Sequence, residues 1–211
     1  MTQMDVFDRL VDALEKQDVS GLDEIFSDDV LLDSSALGIV KGKEAVIQAL
    51  AWKGQPLTYS KHKIFNNVLR TSGNKAVQSC YTIIMAGREI NGFLNLFQCA
   101  FQNKILYEGN RITEIKSNMT FECGNSLIVS QWWNMLDYGV WFGCADRHII
   151  DAYKDSPWYV IDQSDRELND EEAIKELIFR YCWDIDNGAF DDLENVGTER
   201  CDLPADNGKI V

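Results

Sequence analysis

One histidine in a strand-like segment is the residue of this sequence best suited to carry chemistry. From Tyr59 onward, His62, Ile64, Asn66 and Val68 occupy alternate positions, so they share one face of a predicted strand. An imidazole titrates near neutrality and can accept and return a proton under physiological conditions. A structural histidine held by hydrogen bonds is the alternative interpretation of the same position.

Other polar and aromatic residues are candidates for a site around this histidine. Asp33 ends a predicted strand and is a candidate base, or a carboxylate that orients His62; a solvated strand end is the alternative. Tyr81 and Tyr107 could donate hydrogen bonds to a negative charge that develops on the substrate; the alternative is that they are ordinary core residues. The candidate substrate-binding residues are Asn66, Tyr81, Tyr107 and Trp52. The alternative for Asn66 is a hydrogen bond that holds the backbone, and the alternative for Trp52 is a structural position at the end of a helix.

Residues that hold metals or cofactors are sparse. The chain has two histidines, and its six cysteines are scattered at positions 80, 99, 123, 144, 182 and 201 without a C-x-x-C pair. A zinc site needs such residues in a cluster. No glycine-rich phosphate loop and no nucleophile elbow occurs in the sequence. We therefore expect a site without a metal or an organic cofactor.

The charge of the chain disfavours nucleic acid as a partner. The net charge is −14, whereas phosphates demand a basic surface. Residues 162–195 hold twelve Asp and Glu residues and three Lys and Arg residues. Residues 57–122 hold four Asp and Glu residues and eight Lys and Arg residues. Solvated faces explain this distribution; the alternative is an acidic segment that packs on a basic surface of this or another copy. With no signal-peptide core and no apolar run long enough for a membrane span, we expect a cytoplasmic protein.

The first 125 residues predict helices followed by a sheet. Apolar residues recur at helical spacing in residues 3–17, a short helix is predicted from Ser20, a short strand over 30–33, and a third helix from Gly42 to about Trp52. After Pro56 the period changes to two, which predicts long strands at about 58–71, 75–86, 90–107 and 111–122. This order is typical of an α+β fold in which a curved antiparallel sheet wraps around helices.

The remainder of the chain predicts an extension. Residues 126–168 are an aromatic-rich connecting segment, expected to cover an apolar surface or to form a subunit interface. A helix is predicted at 169–187, and its apolar stripe is expected to dock on another surface. The stripe consists of Ile174, Leu177, Ile178, Tyr181 and Ile185. At an offset of 171 this helix repeats the N-terminal one, so residues 169–211 are interpreted as a helical extension that begins a second module.

Several passages, taken in their order, resemble the nuclear transport factor 2-like superfamily. Within it the chain is most similar to the SnoaL-like polyketide cyclase group and its ketosteroid isomerase and scytalone dehydratase relatives. The passages are VSGLDEIFSDDVLLD, KGKEAVIQAL, HKIFNNV, GNKAVQSCY and YEGNRITEIKSNMT, and together they span about residues 4–122. The passage EEAIKELIFRYCWDIDNGAFDDLENV resembles a second N-terminus of the same family.

This resemblance implies a cone-shaped pocket domain in residues 1–125, with three N-terminal helices packed in a curved antiparallel sheet around an apolar cavity. It implies a cofactor-independent enzyme that isomerises, cyclises or dehydrates a small apolar metabolite as a homo-oligomer. His62 would be the acid/base and Asp33 its helper. The alternative is a non-catalytic small-molecule-binding or assembly module of the same fold. Cyclase relatives carry an acid at the far end of the sheet, and Glu122 is the nearest substitute in this sequence. Simple alternation along the strand would place Glu122 on the face opposite to that of Met119 and Phe121.

Overall fold

The computed structural model describes residues 2–129, 131–135 and 149–197. Its contacts separate two units, Met1–Glu167 and Leu168–Val211. The first unit contains a six-stranded sheet with helices packed against one face, and the second contains a helix followed by a 3-10 turn. The α+β class expected from the sequence is confirmed.

Local sequence signals determine the two helices of the first half. Helix α1 (Gln3–Lys16) begins with a capping box between Thr2 and Asp5 and ends at Gln17, which adopts the left-handed conformation. Its buried stripe is Val6, Phe7, Leu10 and Ala13. The predicted second helix is only a 3-10 turn, Leu22–Glu24. Helix α2 (Lys43–Leu50) follows Gly42, as the sequence predicts.

The sheet is mixed, not purely antiparallel. Its strands are β1 (Phe26–Ser34), β2 (Gly38–Lys41), β3 (Tyr59–Ser72), β4 (Lys75–Ile90), β5 (Phe93–Glu108) and β6 (Arg111–Gly124). The strand order is β2-β1-β6-β5-β4-β3. The pair β1–β6 is parallel, because the chain runs through β2, α2 and the long hairpins before β6 returns beside β1. The expectation of an antiparallel sheet is therefore wrong at this one pairing.

Two irregularities decide which side chains face the helices, on what we call the inner face of the sheet. In β3 the register shifts between Phe65 and Val68, where Asn66 has φ of +47°. Val68 consequently leaves the face that carries His62, contrary to the simple alternation expected from the sequence. The pairing of β5 with β6 shifts between Ala100 and Phe101.

The shift in β6 corrects the expectation for Glu122. Met119 pairs with Phe101 and Glu122 pairs with Cys99, so both lie on the inner face despite their opposite parity in the sequence. Glu122 is buried, and neither of its carboxylate oxygens has a hydrogen-bond partner among the described residues. It is not among the described residues that line the cavity discussed below.

The later part of the segment after the sheet, from Ile149 onward, lies against the outer face, opposite α1 and α2. Asp155 is buried there and accepts hydrogen bonds from Lys116 Nζ at 2.8 Å and from the backbone amide of Asp151 at 2.8 Å. Lys104 Nζ lies 3.3 Å from the same carboxylate. A short helix, α3 (Pro157–Val160), follows, with Trp158 buried. The aromatic residues Tyr138, Trp141 and Phe142 of the predicted connecting segment lie outside the described residues.

The second unit begins with α4 (Asp170–Asn187), which agrees with the helix predicted at 169–187 and is capped by Asn169 and Glu172. The apolar stripe of this helix is 42–62% exposed in the single chain, and its docking on another surface stays a prediction. The buried side chains are instead Trp183 and Asp184. Helix α1 ends at Gln17 and α4 ends at Gly188, 171 residues further on, and both residues adopt the left-handed conformation. A 3-10 turn follows each of the two helices. The interpretation as the start of a second module stays a prediction.

No helix in the described part of the chain has both the length and the apolar character needed to cross a membrane.

Candidate functional site

A cavity of about 160 Å³ lies between the helices and the inner face of the sheet. Apolar residues of α1, α2 and the strands form most of its wall, and none of the described residues that line it is charged. A cavity of about 150 Å³ with such a lining accommodates a molecule the size of benzene. The site therefore suits a small, uncharged and largely apolar molecule.

Aromatic rings enclose one side of the cavity. Trp52 and Trp132 meet edge to face with their ring centroids 5.0 Å apart, and Trp52 Nε1 donates to the carbonyl of Gln55 at 2.8 Å. Trp133 packs edge to face against Phe101 at 5.7 Å. Such pairs favour defined ring orientations, which gives the cavity a fixed wall on this side.

His62 reaches the cavity from β3, and its side chain is only 6% exposed. Burial lowers the pKa of this imidazole to about 4, although the nearby carboxylate of Glu15 opposes the shift. Its Nδ1 is buried without a hydrogen-bond partner among the described residues and lies 4.0 Å from Glu15 Oε1. At neutral pH the ring is therefore uncharged.

Glu15 holds this histidine from the last turn of α1. Its carboxylate accepts the backbone N–H of His62 at 2.6 Å and the ammonium of Lys61 at 2.9 Å. Burial acts to raise the pKa of Glu15, but these two partners outweigh it and the pKa is lowered. Sequence reasoning missed Glu15, because 47 residues separate it from His62 and no local pattern joins them.

A strip of polar side chains crosses the inner face on three neighbouring strands. Ser117 Oγ donates to Asn103 Oδ1 at 2.7 Å, and Asn103 Nδ2 donates to Thr82 Oγ1 at 3.0 Å. All three residues line the cavity. Sequence reasoning missed them as well, although the alternation of Asn103 with Phe101 and Ile105 along β5 was a usable signal.

Two residues of the predicted site, His62 and Trp52, do line the cavity. Asp33 does not, because it lies between Leu32 and Ser34 on β1, and these two neighbours are the ones that face the cavity. The structure thus does not bring Asp33 to His62, and the carboxylate beside the histidine is that of Glu15.

The other predicted binding residues lie elsewhere. Tyr81 is on the outer face, where its hydroxyl accepts a hydrogen bond from Gln102 at 3.2 Å. Tyr107 is on the inner face but belongs to the packed core; its hydroxyl donates to Gln78, and burial raises its pKa well above the ordinary value. Asn66 lies at the register shift of β3, where its φ is +47°, and it is not among the residues that line the cavity.

Within the described ranges, no group of three or more His, Cys, Asp and Glu side chains is arranged to hold a metal ion.

Residues 4–108 match the family model of the SnoaL-like domain. This part of the chain is therefore a SnoaL-like domain of the nuclear transport factor 2-like superfamily, and the resemblance seen in the sequence is confirmed. No curated protein sequence matches the chain.

Several solved structures are similar to this one. Kfla4162 from Kribbella flavida is 13% identical with a TM-score of 0.48, over 60% of this chain and 93% of that one. A putative scytalone dehydratase from Novosphingobium aromaticivorans is 10% identical with a TM-score of 0.48, over 58% and 84%. Hexachlorocyclohexane dehydrochlorinase LinA-type3 from Novosphingobium barchaimii is 14% identical with a TM-score of 0.45, over 58% and 87%. These similarities are too distant to carry an argument about chemistry.

Proposed function

We propose that the first unit is a cofactor-independent enzyme that moves a proton on a small, uncharged molecule in an isomerisation, cyclisation or dehydration. The observation that carries the proposal is the neutral imidazole of His62 in the wall of an apolar cavity, with the Glu15 carboxylate 4.0 Å behind it. A neutral imidazole can accept a proton, and a carboxylate on its far side stabilises the imidazolium that forms.

In this proposal the proton transfer runs through Nε2, because Nδ1 is buried and faces the Glu15 carboxylate at 4.0 Å. A C–H bond of the substrate breaks, its proton passes to Nε2 and its electron pair stays on the substrate. The imidazolium then returns the proton to another carbon in an isomerisation, or to a departing hydroxyl in a dehydration. Because burial makes this imidazole a weak base, the reaction calls for an acidified C–H, such as one next to a carbonyl group.

Exchange of α-protons tests the proposal without knowledge of the natural substrate. Cyclohexanone has the size of the cavity, and its α-protons are replaced by deuterium in D₂O whenever a base removes them. Proton NMR should show that the protein accelerates this exchange. The variant His62→Gln should lower the acceleration by about 10²–10⁴-fold, because it keeps hydrogen-bonding capacity but cannot titrate. The variant Lys63→Gln, an exposed position on the opposite side of the same strand that does not line the cavity, is the control and should retain it.

A non-catalytic small-molecule-binding module is the second candidate. One observation favours it: the imidazole is strongly desolvated, and no carboxylate is among the described residues that line the cavity. Under this alternative cyclohexanone binds the wild-type protein but exchanges at the rate of free solution. The same NMR experiment therefore separates the two candidates.

A further inference from the structure

The hydrogen bonds of the polar strip on the inner face all run in one donor-to-acceptor direction. Asn103 accepts a hydrogen bond from Ser117 through Oδ1 and donates one to Thr82 through Nδ2. The same Nδ2 lies 3.5 Å from the backbone carbonyl oxygens of Cys80 and Phe101. Carbonyl oxygens only accept hydrogen bonds, so the Nδ2 end of the Asn103 amide, and not its Oδ1, must face these carbonyls and Thr82. The hydrogen bonds consequently run from Ser117 through Asn103 to Thr82, and not in the reverse order.

This direction leaves the hydroxyl proton of Thr82 at the end of the series. A hydroxyl both accepts and donates, and Asn103 already occupies an acceptor position of Thr82. The other neighbour that the described residues offer is Cys80 Sγ at 3.9 Å, and sulfur is a weak acceptor. Thr82 lines the cavity and is only 9% exposed. Since a buried donor without a good acceptor is costly, this proton is available to a bound molecule.

Thr82 is placed to act on the same molecule as His62. In the β3–β4 ladder His62 pairs with Ile84 and Ile64 pairs with Thr82, so Thr82 is the diagonal neighbour of His62 on the inner face. Diagonal neighbours in a sheet are about 7–8 Å apart. A six-membered ring with one substituent spans such a distance.

We infer that the Thr82 hydroxyl donates a hydrogen bond to a carbonyl oxygen of the substrate, and that the substrate class is an uncharged carbonyl compound about the size of a six-membered ring. This inference rests on the proposed function and deepens it. When the α-proton passes to His62, negative charge gathers on the carbonyl oxygen, where Thr82 stabilises it. Asn103 and Ser117 are positioning residues, because they act through Thr82.

A pair of probes of equal shape tests the inference. Cyclohexanone and methylenecyclohexane differ only in an exocyclic oxygen against an exocyclic CH₂ group. Ligand-observed NMR titration of the wild-type protein, Thr82→Val and Thr82→Ser gives a dissociation constant for each probe. Thr82→Val keeps the shape of the side chain and removes the hydroxyl. It should weaken cyclohexanone binding about fivefold to tenfold and leave methylenecyclohexane within about twofold. Thr82→Ser keeps the hydroxyl and should retain the wild-type affinity for cyclohexanone.

Thr113→Val is the matched control, since Thr113 lies on β6 and is not among the residues that line the cavity; it should change neither affinity. Equal weakening of both probes by Thr82→Val, or no change, would overturn the inference. If neither probe binds the wild-type protein, the inference and the proposed function both fail. If Thr82→Val weakens cyclohexanone alone while the wild-type protein accelerates no α-proton exchange, the inferred contact stands and the catalytic proposal fails.

Discussion

Replacing His62 with glutamine removes a group whose protonation opposes folding. The pKa of this imidazole is about 4 in the folded protein, against 6.5 as its ordinary value. Between these two pH values the unfolded chain binds a proton at His62 and the folded protein does not. Acid therefore favours the unfolded state in this window, and the wild-type protein loses stability as the pH falls from about 7 to 4.

The size of the effect follows from the two pKa values. Each pKa unit corresponds to ~1.4 kcal/mol, so the complete loss is about 3 kcal/mol below pH 4 and about 2 kcal/mol at pH 5. Urea denaturation at pH 7.5 and pH 5 gives the change in the free energy of unfolding for the wild-type protein and for His62→Gln. The wild-type protein should lose about 2 kcal/mol more than the variant, because the other titrating groups contribute equally to both.

The control for this measurement is His148→Gln, which removes the other histidine of the chain. Its comparison with the wild-type protein shows how much of the pH dependence the second imidazole contributes. Parallel stability curves for the wild-type protein and His62→Gln between pH 7.5 and 5 would refute the reasoning. His62 would then have an ordinary pKa and would face solvent instead of an apolar cavity.

Three further predictions concern the scaffold. Asp155→Ala leaves the buried ammonium of Lys104 without one of its carboxylate partners and should cost about 3 kcal/mol in urea denaturation; a loss below about 1 kcal/mol would contradict a buried ion cluster. Burial, together with a neighbouring carboxyl group, raises the pKa of Asp184 to about 7, so its folded-state protonation stabilises the protein at low pH and this contribution is lost as the pH rises through 7. Asp184→Asn should accordingly gain stability relative to the wild-type protein between pH 5 and 8, and a difference independent of pH would count against the buried site. Gly124→Ala should lower the melting temperature by several degrees, because φ is +91° and a Cβ atom would lie 2.4 Å from the carbonyl oxygen of Leu96; an unchanged melting temperature would show that the backbone adjusts freely.

Elements with local signals were predictable from the sequence. The apolar residues at helical spacing in residues 3–17 predict α1, and the change of period after Pro56 predicts the long hairpins. The parallel pairing of β1 with β6 was not predictable, because it joins segments about 80 residues apart and no local pattern records it. Strand β2 has only four residues, Gly38–Lys41, too few for an alternating pattern to stand out.

The candidate site was predictable only in part, for the same physical reason. His62 stands out because few residue types titrate near neutrality, and its strand is clearly periodic. The face on which a strand presents its side chains depends on tertiary packing, so Asp33 and Tyr81 were assigned to a cavity that they do not line. Glu15 carries no signal of chemistry until the fold brings it to the imidazole, and the partners of Asn103 appear only once the strands are paired.

A crystal structure of the protein with cyclohexanone tests the central claim most directly. We expect the ring inside the cavity between α1 and the sheet, its oxygen about 2.7–3.0 Å from Thr82 Oγ1 and an α-carbon next to His62 Nε2. A cavity filled by side chains, or an imidazole turned away from the bound ketone, would contradict the account.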